Sequence, residues 1–279
     1  MYKVKPFLLF DLNDGALLQN NEVTIHLKKQ SMIKFLRELQ EDRTIINSQL
    51  SIGEHFPNNA EHAVQFLLTN KVIFEEIKPT FNFTDIIVYS NSQMFIEIFE
   101  FLAKGSLENV RFDSFEDGKF DFRDFHEDSL VILFFNPLEL RIYEKTVETI
   151  RKIGCAVKVI FYYNHSIYMS NFHKKKWYNP CPKCFFYVIE AQLRGASKSH
   201  GSVNFQTLID ILYLHETNFK IECILNPLRL LGVMNELLNQ ITSPNNINSF
   251  VNIVHEFSLE SSYENSDYSY HFEMCDCYE

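Results

Sequence analysis

The spacing of apolar residues changes character near residue 84. Before it, "PFLLFDL", "GALLQ" and "EVTIHL" read as short strands, with turn chemistry at Asn13-Asp14-Gly15 and Asn20-Asn21 between them. In the third run Val23, Ile25 and Leu27 point one way, and Thr24 and His26 the other. "QSMIKFLRELQED" then sets Met32, Ile33, Phe35, Leu36 and Leu39 at helical spacing, starting near Ser31. "NAEHAVQFLLTN" places Ala60, Val64, Leu67 and Leu68 on one face, with Asn59 as cap and Asn70 as stop. Ala63, Phe66 and Asn70 are left along its flank. Three strands, three helices and a closing "KVIFEEI" predict a winged-helix-like domain over residues 1–78, with "KPTFNFT" as linker.

Over residues 84–279 strands and helices alternate. "DIIVYS", "SLVILFF" and "AVKVIFYY" are apolar enough to be buried on both faces, and "SIYMSNF" is a fourth strand. "SQMFIEIFEFLAKG" reads as a helix closed by Gly105. "NPLELRIYEKTVETIRKIG" reads as another, with Pro137 in its first turn and Gly154 past its end. Helical patterns recur at 182–194, 203–215 and 227–241. The alternation predicts a mostly parallel α/β sheet.

Composition narrows the class. With 46% hydrophobic residues and 27 phenylalanines among 279, the chain can fill a core and is not globally disordered. The longest apolar runs, such as "VILFF" at 131–135, are too short to span a membrane. "MYKVKPFLLFDLND" shows no cleavable signal, so a cytoplasmic location is expected. A net charge of −10 argues against a general nucleic-acid binder. The charge is uneven: residues 170–200 carry six Lys/Arg against Glu190 alone, and residues 255–279 carry seven acids and no Lys or Arg.

The cysteines supply the candidate chemistry. "NPCPKC" holds Cys181 and Cys184 at the start of an apolar helix, and "EMCDCYE" holds Cys275 and Cys277. Two thiol pairs from tight local loops make the tetrahedral thiolate set that structural zinc prefers. An acidic tail folding over the basic segment would bring the pairs together, with Lys183 and its neighbours offsetting the surplus negative charge. Loop closure costs entropy that grows only logarithmically, whereas small structural zinc sites bind with roughly 10–16 kcal/mol. Two other readings stand beside zinc. One is a thioredoxin-like redox pair, although that motif follows the first strand of its βαβ unit and this one lies late. The other is two unrelated thiol pairs with a disordered tail. Cys155 and Cys223 lie in apolar runs and read as core.

Other chemistry is thin. The turn after "DIIVYS" is "SNSQMF", Ser90 to Phe95, without the glycines that let a backbone approach a pyrophosphate, and no GxxxxGK[ST] occurs elsewhere. His165, His173 and His200 are scattered, and "HKKKW" and "DFRDFHED" read as solvated connections. No Ser-His-Asp or HExxH arrangement presents itself. The chain reads as non-catalytic.

Taken together, the winged-helix-like start, an α/β domain lacking a phosphate loop, "SIYMSNFHKKKWYNPCPKCFFYVIEAQLRG" and the terminal cysteine pair resemble the McbB-type proteins. These are ubiquitin-activating-enzyme-like partners of YcaO cyclodehydratases, which install thiazole and oxazole rings in ribosomally made peptides. The resemblance implies a degenerate, Rossmann-like adenylating-enzyme domain with a structural zinc on Cys181, Cys184, Cys275 and Cys277. It implies a role as scaffold: the N-terminal domain holds the precursor's leader, and ATP is used by the cyclodehydratase. It also implies a homodimer within a larger complex, which a flavin-dependent dehydrogenase can join. Leader capture by β-augmentation would use Val23, Thr24, Ile25 and His26 on the third strand, and Ala63, Phe66 and Asn70 on the third helix.

A winged-helix transcription regulator with a zinc-bearing effector domain is the alternative. Residues 1–79 hold nine Lys/Arg against ten Asp/Glu, and "NAEHAVQFLLTN" has no Lys or Arg to meet phosphates. An adenylating enzyme in its own right is a third reading, and it requires ATP binding.

Overall fold

The structure is a computed structural model that describes residues 2–41, 48–75, 79–115, 120–195, 203–216, 218–242, 251–261 and 263–278. His200 and Lys198 lie outside them. The chain separates into two compact units, residues 1–77 and 78–278.

In the first unit β1 (Tyr2–Val4) pairs antiparallel with β5 (Ile73–Glu75). A three-stranded meander of β2 (Leu8–Leu12), β3 (Gly15–Gln19) and β4 (Thr24–Leu27) forms a separate sheet. The helices are α1 (Gln30–Glu41), α2 (Ser48–His55) and α3 (Ala60–Thr69). Met32, Ile33, Phe35, Leu36 and Leu39, the apolar stripe of α1, are all buried against Ala16, Leu18 and Leu27 of the sheet. The turn between β2 and β3 depends on its glycine, because a Cβ at Gly15 would stand 2.0 Å from the carbonyl oxygen of Leu27. Asn59 occupies the N-cap of α3, but its side chain makes no capping bond. Asn70 ends the helix as its spacing suggested, its amide donating to the Phe66 carbonyl at 2.8 Å, and Lys71 follows at φ 56°.

The second unit is a seven-stranded sheet in the order β12-β11-β10-β9-β8-β6-β7. Its strands are β6 (Asp85–Ser90), β7 (Val110–Ser114), β8 (Ser129–Phe135), β9 (Ala156–Tyr163), β10 (Ser166–Met169), β11 (Ile253–Ser258) and β12 (Glu264–Tyr268). The helices are α4 (Gln93–Ala103), α5 (Leu140–Ile153), α6 (Pro182–Gly195), α7 (Phe205–His215) and α8 (Pro227–Thr242). Every residue of β8 and β9 is buried, as their continuous apolar runs require. One face of the sheet packs on Tyr143, Val147 and Ile150 of α5, on Phe185, Phe186 and Ile189 of α6, and on Ile209 of α7. The other packs on Phe95 and Phe99 of α4 and on Leu230, Val233, Met234 and Leu237 of α8. The Phe95 and Phe134 rings stack there at 4.2 Å.

The sheet is mixed rather than mostly parallel. β7, β6, β8 and β9 run parallel, but β9, β10, β11 and β12 are antiparallel neighbours. The reversal occurs at Asn164-His165, where φ is 42° and 62°, the backbone of a tight two-residue hairpin that excludes a crossover helix. Pro137 also sits elsewhere than expected: α5 begins at Leu140, because Asn136 and Leu138 are held by the segment around residues 221–223. Gly154 closes α5 at φ 88°. Phe81, in the segment read as linker, packs edge-on to Phe172 at 4.8 Å and stacks on Trp177 at 5.7 Å. No described helix is long and apolar enough to cross a membrane.

Candidate metal centre and a cleft beside an open strand edge

The four cysteines nominated from spacing converge. Cys181 precedes Pro182, the first residue of α6, so the proline's missing N–H costs nothing there. Cys184 sits in the first turn of the same helix, where the positive end of the helix dipole favours a thiolate. The other pair comes from the last turn of the chain, where Cys275 N–H donates to the Phe272 carbonyl at 2.9 Å and a short 3-10 helix spans Asp276–Tyr278. Cys181 and Cys184 are 3.9 Å apart at sulfur, Cys181 and Cys275 3.6 Å, and Cys184 and Cys277 3.3 Å. All four sulfurs lie within 4.8 Å of one another and all four residues are buried.

A tetrahedral ion with metal–sulfur bonds of ~2.3 Å needs sulfur–sulfur edges of roughly 3.8 Å. The observed spacings bracket that value, so these residues could hold a metal ion. S–H donation from Cys181 holds the Cys184 thiol well below its ordinary range, and the same contact raises Cys181. A metal ion takes cysteine as thiolate, so binding there would release the protons that Cys181 and Cys277 hold.

The surroundings contain groups that spacing did not reveal. His271 Nδ1 lies 3.4 Å from Cys277 Sγ, and its Nε2 contacts the Tyr178 carbonyl at 3.1 Å. Arg151, at the end of α5, donates to the Asp276 carbonyl at 2.9 Å, so the cation tied to the tail comes from α5. Lys183 belongs to the first turn of α6. Tyr143 Oη donates to the Pro182 carbonyl at 2.7 Å, and burial pushes its hydroxyl pKa well up. Outside the cluster, Cys155 is buried and its thiol is pushed up to about 12 by that burial, whereas Cys223 is half-buried.

His173 is buried beside this region, held through Nδ1 by the Asn179 carbonyl at 3.0 Å, and burial lowers its pKa to about 4. His165 lies in the exposed β9–β10 turn. Lys174 and Lys176 of "HKKKW" are both tied to Glu127.

Open α/β sheets bind ligands outside the carboxyl ends of their strands. In this chain that place is crossed by its own backbone. The Asn91 amide donates to the Pro137 carbonyl at 2.6 Å and accepts from Asn136 N–H at 2.8 Å. The Asn136 amide in turn bridges Cys223, donating at 2.9 Å and accepting at 3.1 Å.

The second candidate site lies in the first unit. β4 pairs only with β3, so its other edge is open among the described residues. Beside it a cleft of about 470 Å³ runs between β4 and α3. Ile25, His26, Ala63 and Phe66, from the sequence-nominated set, line it. Val23, Thr24 and Asn70 do not: Val23 N–H is held in the turn by Asn20, Thr24 opposes Gln19, and Asn70 is spent closing α3. Leu27, Met32 and Phe56 form a buried floor that the strand and helix patterns alone did not identify.

The sequence model of the family described as "Microcin B17-processing protein McbB" matches residues 2–279. No curated protein matches the chain. Among solved structures it is similar to a chain of the E. coli microcin synthetase McbBCD complex, at 16% identity and a TM-score of 0.67, over 99% of this chain and 100% of that one. It is also similar to a chain of the E. coli McbBCD complex with pro-MccB17 bound, at 13% identity and a TM-score of 0.53, over 100% of this chain and 99% of that one. At these identities the likeness is one of fold.

Proposed function

The chain belongs to the McbB family, and from that premise we propose that it is a non-catalytic scaffold of a heterocycle-forming synthetase. Its N-terminal unit, a winged-helix-like domain, holds the leader of a ribosomally made precursor peptide. The complex then presents the core Cys, Ser and Thr residues to a YcaO cyclodehydratase for thiazoline and oxazoline formation. A homodimer of this chain forms the platform, and a flavin-dependent dehydrogenase joins to oxidise the rings.

The observation that carries the reading is the open edge of β4 beside the cleft with α3. An extended peptide can continue the β2-β3-β4 sheet by main-chain hydrogen bonds while its side chains enter the cleft. Holding substrate and catalyst in one assembly raises their effective concentration, which is how a silent subunit accelerates chemistry. The asparagine-clamped crossing at the ends of β6 and β8 supports a division of labour in which ATP is used elsewhere. The ion held by Cys181, Cys184, Cys275 and Cys277 is zinc, which four buried thiolates suit, and its part is structural: it fastens the last turn of the chain to α6.

Titration of the purified chain into the labelled precursor peptide tests this. Binding of the leader alone, undiminished when the core is removed, is expected. Binding that requires the core and ignores the leader would contradict it.

A further inference from the structure

The chemistry of the cleft specifies the peptide it takes. We infer that it selects an extended segment in which a carboxylate stands within a residue or two of a large apolar side chain, an inference that rests on the leader-binding reading above.

The cleft has two tiers. Its floor of Leu27, Met32, Phe56 and Ala63 is apolar and each of those residues is at most 6% exposed. An apolar side chain from a strand laid along β4 would leave water against that floor, gaining roughly 25 cal/mol per Å² of its own buried surface. Its rim carries the cations Lys28 and Lys29, which follow β4 directly, and His62 lines it from α3. No Asp or Glu lines the cleft, and no described carboxylate pairs with Lys28, Lys29 or His62. Among the lining residues His26 has a carboxylate neighbour, Asp14 at 3.1 Å.

Such a rim is out of character for the chain. The protein carries a net −10, and residues 1–79 hold slightly more acids than bases. Two lysines beside one apolar slot, with no carboxylate partner among the described residues, are complementary to a carboxylate on the occupant. They set its register, because alternate side chains of an added strand point to opposite faces. Lys29 is already positioned: its Nζ stands 5.7 Å from the Phe56 ring centroid, so the ammonium hangs over the floor. Nucleic-acid phosphates also carry the right charge, but the floor's one aromatic ring, Phe56, is 4% exposed and offers no open face for a base to stack on.

The test is selection of random twelve-residue displayed peptides on the immobilised full chain, followed by affinity measurement of the enriched sequences. Peptides with Asp or Glu within two positions of Leu, Ile or Phe are expected. Their affinity should fall about tenfold or more in Lys28→Glu/Lys29→Glu, whose sites are exposed, and weaken with added salt. It should also fall in Ala63→Trp, which fills the slot, and in Phe66→Ala, which spares the fold if the tryptophan does not. Binders lost in the cleft variants but showing no acid preference would overturn the inference and leave leader binding standing. An absence of binders, or binders indifferent to both cleft variants, would overturn leader binding at the cleft as well. Displacement of the peptides by a fluorescent oligothymidylate at equal concentration would assign the rim to nucleic acid and overturn the inference.

Discussion

Cys184 Sγ stands 3.3 Å from Cys277 Sγ although 93 positions separate them in the chain. That contact joins the start of an interior helix to the last turn of the polypeptide. A single bound ion there would hold a segment that otherwise buries little.

Replacing Cys184 with serine should therefore reduce bound zinc from one ion per chain to a small fraction and lower the soluble yield. Deleting residues 275–279 should do the same. Metal analysis of the purified variants checks both, since structural sites of this kind contribute on the order of 10 kcal/mol. Full metal content in the truncated chain would show that the tail cysteines are not ligands.

Lys158 is fully buried on β9, its ammonium donating to the Ser170 carbonyl at 2.6 Å and lying 4.2 Å from the Phe172 ring centroid. Burial lowers its pKa from 10.5 to about 7, with a smaller opposing effect from Glu236. Below about pH 7 the amine is charged in both states and the burial penalty is full. Above 10.5 it is neutral in both and the penalty is gone, so stability rises with pH between those limits. Lys158→Met should raise the melting temperature at pH 7 and flatten that rise, which is worth on the order of 5 kcal/mol. Thermal melts from pH 7 to 10 decide it, and an unchanged slope would refute the assignment.

His255 gives the opposite limb. It is buried on β11 beside Gln240, Glu236, Glu264 and Lys158, and its Nε2 is 2.8 Å from the Gln240 amide nitrogen. Burial, and then the Lys158 charge, lower its pKa from 6.5 to about 4. The folded state thus resists a proton that the unfolded state accepts. The stability this neutral ring contributes is present above pH 6.5 and lost as pH falls toward 4, by about 3 kcal/mol. His255→Gln should flatten this part of the acid limb in urea melts between pH 7 and 4. A limb as steep as in the parent would count against the neutral ring.

Gly15 sets the sheet on which the cleft depends. A Cβ there meets the Leu27 carbonyl at 2.0 Å, and that backbone atom cannot move without shifting β4. Gly15→Ala should cost about 2 kcal/mol or more and weaken peptide binding, because Leu27 is part of the cleft floor. Calorimetry and peptide titration on the same preparation check it. A variant as stable as the parent would show that the turn adapts.

How much of this was legible varies with how local the signal is. β8 and β9 announce themselves because burial on both faces requires unbroken apolar runs. The stripe of α1 and the glycine closing α5 are equally local. β12 could not be read: "ENSDY" is exposed at every position and is held chiefly by backbone pairing with β11. β1 is three residues long and gains its meaning from β5, some seventy positions later. The four cysteines were readable from spacing because thiolate chemistry is rare and demanding. His271 and Arg151 were not, because a lone histidine in an acidic tail and an arginine at a helix end acquire their roles only when the tail folds back. The cleft was half legible for the same reason: Ile25, His26, Ala63 and Phe66 were placed by the resemblance and the β-augmentation it implies, whereas Met32 and Phe56 enter through packing of α1 and the segment after α2.

A tagged pull-down from the native host, with the full chain and Ala63→Trp compared by mass spectrometry, tests whether the proposed scaffold brings a leader peptide to a cyclodehydratase. The parent should recover a YcaO-like protein together with a short peptide rich in Cys, Ser and Thr, and the variant should keep the protein and lose the peptide. Recovery of the chain alone, or with promoter DNA, would contradict it.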